Sequence, residues 1–399
     1  MFKGFHKNVF WLMLAQACFI GSTMTVVTYS GLVGTRIAPS DAFATLPMFC
    51  AIGTTALTTG LFSKLMGAKG RKAGFFLGNG LGIFGSLLAA YAVYIENFWL
   101  FCGSLSFVGM FAGTALYYRF MAIESVEKDV SGRAVSAVLI GSLIGVGFVP
   151  FITGYVMDLF APDVLRGAFV FAAVSIALGL IPLSMLTPID MEAEADARSG
   201  ISKTARPLRE IAKQPVFMAA VLNAATGYAL MSFIMTSSPI AMDHYGMGAE
   251  VSRHVIQMHV FAMYLPSLFT GQLITRFGTV RILFAGHALF IAAFITAIMG
   301  ITFLNFSVAL ILLGVGWNFC FIGGTTMLPR AYHAAEKTSV QGLNESLTYT
   351  SQATATAATG FLLHYFGWVT LNQIGLVLLA VTIFFTMRYA FSPDREMDH

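Results

Sequence analysis

Stretches long and apolar enough to cross a bilayer recur about twelve times along this chain, and nothing else in the sequence narrows its fold so far. They fall at residues 9–31, 42–63, 73–93, 97–120, 134–157, 166–187, 216–240, 252–274, 280–301, 303–327, 339–364 and 369–390. Lipid offers a backbone no hydrogen-bond partner, so such stretches satisfy their own N–H and C=O groups as helices. Composition agrees: 57% of the 399 residues are hydrophobic and 11% charged, against about a quarter charged in soluble domains. The first apolar run lacks an A-x-A-like cleavage site followed by a polar chain, and reads as a retained span.

The longest polar interruption, DMEAEADARSGISKTARPLREIAKQ from Asp190 to Gln214, separates six spans from six. The expectation is an all-α membrane protein with twelve transmembrane helices in two six-helix bundles, residues 1–189 and 216–399, joined by a central cytoplasmic loop at 190–215. With the N-terminus cytoplasmic, the outer loops hold only Arg36, Arg166 and Arg253 of the 23 Lys and Arg. That asymmetry places both termini inside. A small net charge of +4, divided by membrane side, leaves no nucleic-acid footprint. Cys18, Cys50, Cys102 and Cys320 are scattered without a CxxC, so neither a disulfide framework nor a zinc site is expected. No phosphate-binding loop, H-E-x-x-H or nucleophile elbow occurs, so neither ATP-driven transport nor an enzyme is expected.

Several side chains carry chemistry. Met231 and Met235 stand four apart in the seventh span, His259 and Met263 four apart in the eighth, and i, i+4 residues share a helix face. At 1.5 Å per residue the first pair lies roughly 14 and 8 Å below the outer end of its helix, the second roughly 11 and 17 Å. Thioether and imidazole suit Cu(I); methionines that merely pack helices fit a chain with 21 of them equally well. His254 with Met258 repeats the spacing nearer the outer end, and Met242, His244 and Met247 sit by the outer loop. Glu345, beside Asn344, is an intramembrane carboxylate, a residue type that marks pathways or proton coupling. Arg119 and Glu124 flank the inner end of the fourth span as a candidate gate pair. Trp317, Asn318 and Cys320 give the tenth span a polar, aromatic face, which suits a flat ring and ordinary bundle packing alike.

The loops GLFSKLMGAKGRK (Gly60 to Lys72) and GQLITRFGTVR (Gly271 to Arg281) echo each other, as parallel repeats do. They resemble the G-x3-D-x2-G-x-R-[RK] signature of the major facilitator superfamily, whose members transport by alternating access. The acidic position, which helps latch the cytoplasmic gate in that family, aligns with Lys64 and Thr275. Lys64 thereby joins Glu345 and Arg119 as a candidate for gating or coupling. GSLIGVGFVPFITG (Gly141 to Gly154) resembles the glycine-rich fifth helix of many members; Gly141, Gly145 and Gly154 would admit close backbones and Pro150 would free a carbonyl. M-x3-M followed by H-x3-M resembles the bacterial copper importers of this superfamily that serve cbb-type cytochrome oxidase assembly. That likeness implies copper as cargo rather than resident cofactor, bound by Met231, Met235, His259 and Met263. It implies partners that donate or accept copper, and a place in the bacterial inner membrane. Relatives in the same branch carry riboflavin, so riboflavin or another small organic molecule is the alternative cargo; His254, Met258, Cys50 and Cys320 stay unassigned.

Overall fold

A computed structural model describes residues 6–39, 43, 46–127, 130–161, 163–187, 205–247 and 249–392, and its regular elements are helical throughout. In order these are α1 (Lys7–Ile37), α2 (Leu46–Lys69), α3 (Arg71–Tyr94), α4 (Phe98–Ala115), α5 (Tyr118–Glu124), α6 (Ser131–Asp158), α7 (Val164–Ser184), α8 (Leu208–Ile211), α9 (Pro215–His244), α10 (Ala249–Tyr264), α11 (Ser267–Phe277), α12 (Thr279–Met299), α13 (Phe303–Met327) and α14 (Lys337–Ala390). Two 3₁₀ turns, Leu328–Ala331 and Ala334–Glu336, lead into α14. Gly367, at φ 74°, breaks α14 into two helical stretches. Of the expected central loop, residues 190–204 lie outside the described set.

Helix ends follow local chemistry. Asn97 caps α4 by accepting from Leu100 N–H at 2.9 Å, and Thr302 with Asn305 forms a reciprocal capping box at the start of α13. Gly70 and Gly278 precede α3 and α12 with nearly identical backbones, φ 86° and ψ 153° against φ 84° and ψ 151°. Only glycine holds that conformation without strain. The match makes Gly70 and Gly278 counterparts at the helix starts.

Among the described residues nine helical stretches are long and apolar enough to cross a membrane. Three expected spans are not among them: 134–157, which α6 covers as one helix although the surroundings of several of its side chains lie outside the described set, 252–274 and 339–364. The reasons for the last two are physical. Residues 252–274 carry Arg253, His254, Gln257 and His259 and break at Leu265–Pro266 into α10 and α11. Proline has no N–H to continue the ladder and its ring collides with the preceding turn. Asn318 on α13 closes the break: its Nδ2 donates to Met263 O (2.7 Å) and Ser267 Oγ (2.8 Å), while its Oδ1 accepts from Thr270 Oγ1 (2.7 Å). Residues 339–364 are rich in Asn, Gln, Ser and Thr.

The chain divides into two compact units. The first holds Met1–Glu127, Ala137–Ser199 and Gln341–Ser346, the second Lys128–Ser136, Gly200–Val340 and Leu347–His399. In the first unit, a Cβ at Gly141 or Gly145 would strike the backbone carbonyl of Met13 or Ala17 on α1, so α6 and α1 touch through glycine. The expectations at Pro150 and Gly154 concern side-chain surroundings outside the described set. Between α1, α3 and α7, Arg36 reaches Glu96 at 2.8 Å and Asp163 at 3.4 Å.

In the second unit the last residues of the central segment are clamped to the turn before α14. Glu336, almost fully buried, accepts from Arg206 Nε and Nη2 at 2.7 Å each, from Arg206 N–H at 2.8 Å and from His333 N–H at 2.9 Å. Arg206 Nη2 and Gln214 Nε2 both donate to Ala331 O at 3.1 Å. The Arg206 guanidinium chiefly, then the two backbone N–H groups, hold the Glu336 carboxyl at about 2, against the opposing push of burial.

Two outcomes follow. A carboxyl held below its ordinary 4.5 contributes stability that is full above that value and lost as pH falls through about 2. Glu336→Gln should therefore lower stability at pH 7 by about 2 kcal/mol for lost charge-assisted bonds, read as a lower thermal midpoint, and flatten the decline of that midpoint between pH 5 and 2. Asn318→Leu should cost about 1–3 kcal/mol for each buried group left without a partner, read by thermal unfolding of the purified protein.

Candidate functional site

The first unit holds two ion pairs, one half-buried and one buried. Arg71, the first residue of α3, donates from Nη2 to Glu124 Oε1 at 2.6 Å and also reaches Gln341 Oε1; Gln341 Nε2 donates back to Glu124 at 3.3 Å. The guanidinium lies 5.2 Å from the centre of the Tyr117 ring, and Tyr117 donates to Thr59 O at 2.9 Å. Arg119, on α5, pairs with Glu345, Nη2 to Oε1 at 2.5 Å. Glu345 is 0% exposed and Arg119 5%. The Glu345 carboxylate is lopsided. Asn344 Nδ2 also donates to Oε1, at 2.6 Å, whereas Oε2 is buried with no hydrogen-bond partner among the described residues.

The stretch Gln341–Ser346 supplies all the α14 members of this cluster. It seats closely because Gly342 faces Gly60: a Cβ on Gly342 would lie 3.3 Å from the Gly60 Cα and 3.2 Å from the Ser63 Cβ. Ser346 Oγ then lies 3.2 Å from Thr59 Oγ1. Glu345 stands about 12 Å along α14 from its start. Lys64 is exposed on α2.

The second unit carries an aromatic cluster beside the α10–α11 break. Trp317 and Phe321 of α13 stack at 4.9 Å and 14°. Tyr228 of α9 meets both edge-on, at 5.3 and 5.2 Å, and lies 5.4 Å from Tyr349 of α14. Tyr264, the last residue of α10, meets Trp317 edge-on at 5.8 Å. Adjacent residues of α13 thus do two jobs: Trp317 enters the ring cluster while Asn318 holds the break.

Of the metal-ligand candidates, Met231 and Met263 are buried and Met235 is half-buried. His259 is 0% exposed and its Nδ1 lies 2.7 Å from Leu310 O on α13. A carbonyl only accepts, so Nδ1 carries the proton, and Nε2 is left as a bare acceptor without a partner. The ring is held against α13, where Gly314 admits the α10 backbone: a Cβ there would sit 2.9 Å from His259 O. His254 is exposed and Met258 half-buried. Met242 belongs to α9 and is fully buried, His244 ends that helix exposed, and Met247 is half-buried. All four cysteines are free.

One intramembrane histidine escaped the sequence reading. His287, 2% exposed on α12, places Nε2 2.8 Å from Asn223 Oδ1, and Asn223 Nδ2 donates to Thr386 Oγ1 at 2.8 Å and to Ala219 O. Its isolation in the run FAGHALF was the available signal.

Comparison with known proteins places these features. The Major Facilitator Superfamily profile matches residues 11–265. The chain is 34% identical to the riboflavin transporter RfnT of Brucella anthropi over 378 residues, 95% of this chain and 94% of that protein. It is 29% identical to the uncharacterized MFS-type transporter YdeG of Bacillus subtilis, over 96% and 91% of the two chains. Among solved structures, a bacterial homologue of the iron transporter ferroportin in the outward-facing state superposes with a TM-score of 0.74, covering 96% of this chain and 100% of that one at 15% identity. The E. coli fucose:proton symporter does so at 0.74, over 97% and 98%, at 16% identity. These structures carry the fold alone.

The expectation of a copper importer is overturned by the relatives, which include a riboflavin transporter and no copper carrier. Among the described residues no three His, Cys, Asp or Glu side chains gather in a metal-holding group. Assigning Met231, Met235, His259 and Met263 as copper ligands loses its support, and copper donor and acceptor proteins go with it. Helical spacing put each pair on one face without showing what the face meets, and His259 meets a carbonyl of α13. The protein is a lipid-embedded carrier of a small molecule, and not an enzyme. The chain belongs to the Major Facilitator Superfamily, as a multi-pass transporter of the bacterial cytoplasmic membrane.

Proposed function

We propose that this protein carries riboflavin, or a small organic molecule with a similar flat ring, across the cytoplasmic membrane by alternating access. The observation that carries the reading is the 34% identity with a riboflavin transporter across nearly the whole of both chains. The five-ring cluster of the second unit supports it, since a flat aromatic cargo binds by stacking. The twelve spans form two six-helix bundles, residues 1–189 and 216–399, with both termini and the 190–215 loop cytoplasmic. The positive-inside asymmetry and the helicity of every described span support this arrangement. In it α4 with α5, and α10 with α11, each make one span, and α14 makes two.

Glu345 and Arg119 couple transport to protons. A buried carboxylate whose Oε1 accepts two hydrogen bonds and whose Oε2 accepts none has an oxygen free to take a proton. Protonation there removes the charge that holds Arg119. Lys64, exposed on α2, lies at the cytoplasmic end of its span and joins the gate only through solvent-facing contacts.

Expression in riboflavin-requiring cells that lack an importer should raise uptake of radiolabelled riboflavin at least several-fold and restore growth on low riboflavin. Unchanged uptake by abundant, membrane-inserted protein would overturn the cargo. Reporter fusions at Gly246 and at the C-terminus should report outside and inside respectively; a cytoplasmic signal at Gly246 would sink the twelve-span topology.

A further inference from the structure

We propose that Tyr228, Trp317 and Tyr349, with the polar atoms of Thr348 and Gln352, form the seat of a planar heteroaromatic ring whose edge alternates hydrogen-bond donors and acceptors. The proposal rests on the reading of the chain as a carrier of a small organic molecule and names the part of that molecule which the second unit recognises.

Three observations converge. The cluster has a closed floor and an open rim: Trp317 and Phe321 are buried, whereas Tyr228 and Tyr349 are half-exposed and tilted 44° to one another. Its polar atoms are unsatisfied. Trp317 Nε1, Thr348 Oγ1 and Gln352 Oε1 are buried and without a hydrogen-bond partner among the described residues. Thr348 and Gln352 are four apart on α14, and Tyr349 is three from Gln352, so the three share a helix face. A cluster built only to pack would fill these positions with apolar side chains, because an unpaired buried polar group is destabilising. Together they offer one donor, one acceptor and one hydroxyl able to act as either.

The indole edge is also left uncovered by the residue opposite. Gly227 stands there: a Cβ on it would lie 3.8 Å from Trp317 Cδ1, the atom bonded to Nε1, and 3.7 Å from Cys320 Cβ. Met231, three residues beyond Tyr228, extends the same face of α9 with a polarizable thioether that adapts to an aromatic edge. An isoalloxazine ring, with its alternating C=O and N–H edge, has this chemistry.

The test uses the purified full-length chain in nanodiscs, titrated with riboflavin and with lumichrome, the tricyclic ring without its ribityl chain, and reads quenching of flavin fluorescence. Wild type should bind both. Tyr228→Leu and Tyr349→Leu should each raise Kd for both probes at least about tenfold, as loss of one stacking ring does, while the Phe variants should stay within about twofold. Gly227→Ala, whose methyl group meets only ordinary van der Waals contacts, keeps the packing, covers the indole edge and should weaken both probes. It decides the matter if the leucine variants do not fold. Riboflavin binding unchanged in folded leucine variants and in Gly227→Ala would overturn the seat and leave the riboflavin reading standing. Tyr228-dependent binding of lumichrome without riboflavin binding would uphold the seat and overturn riboflavin as cargo. Binding of neither probe would overturn the seat.

Discussion

A charge placed where water cannot reach it must be met by an opposite charge, and the Arg119–Glu345 pair is where this protein answers that demand. Both side chains are almost fully buried and 2.5 Å apart. Removing either partner from such a pair costs about 3–5 kcal/mol, because the charge left behind is stranded. The consequence is local geometry on a larger scale. Residues 341–346 are held against α2, α3 and α5 by Gln341, Glu345 and Ser346, with Gly342 seated on Gly60. The charge-bearing turns of α14 thereby belong to the first compact unit although the rest of that helix belongs to the second.

The second unit meets a different version of the same constraint. Pro266 interrupts a helix inside the apolar region, and each backbone group the break releases needs a partner. Asn318 supplies one for Met263 and positions Ser267 and Thr270 in the same stroke. Because Trp317 is its neighbour in sequence, the clamp and the aromatic cluster are set by the same turn of α13. The repeat is visible here as well. Gly132 packs on α11 at Gly271 and Ile274, as Gly342 packs on α2 at Gly60 and Ser63.

Much of the fold was legible because its signal is local. Each apolar run became helix, and two of the three runs outside the nine were weakened by His259 and Pro266 or by the polar face around Glu345. Register was less legible. Two loops rich in glycine align in more than one way, and the positive φ of Gly70 and Gly278 showed which glycines stand before the following helices. Pairings were not legible at all. Arg119 and Glu345 are 226 positions apart, and Glu124, the partner suggested by proximity, is taken by Arg71. The Met and His pairs misled for a related reason: spacing of four establishes a shared helix face, which packing helices need as much as metal sites do. The aromatic cluster draws on four helices, so sequence pointed only to its Trp317 corner.

The central claim is that proton binding at Glu345 drives transport. It is tested most directly by accumulation of radiolabelled riboflavin in proteoliposomes under an imposed proton gradient, comparing wild type with Glu345→Gln. Glutamine keeps the shape and the hydrogen bond to Arg119 but cannot titrate. The account predicts that wild type concentrates riboflavin above equilibrium when the outside is acidified, whereas Glu345→Gln, folded and equally abundant, only equilibrates it down its gradient. Concentrative uptake by Glu345→Gln equal to wild type under the same gradient would contradict it.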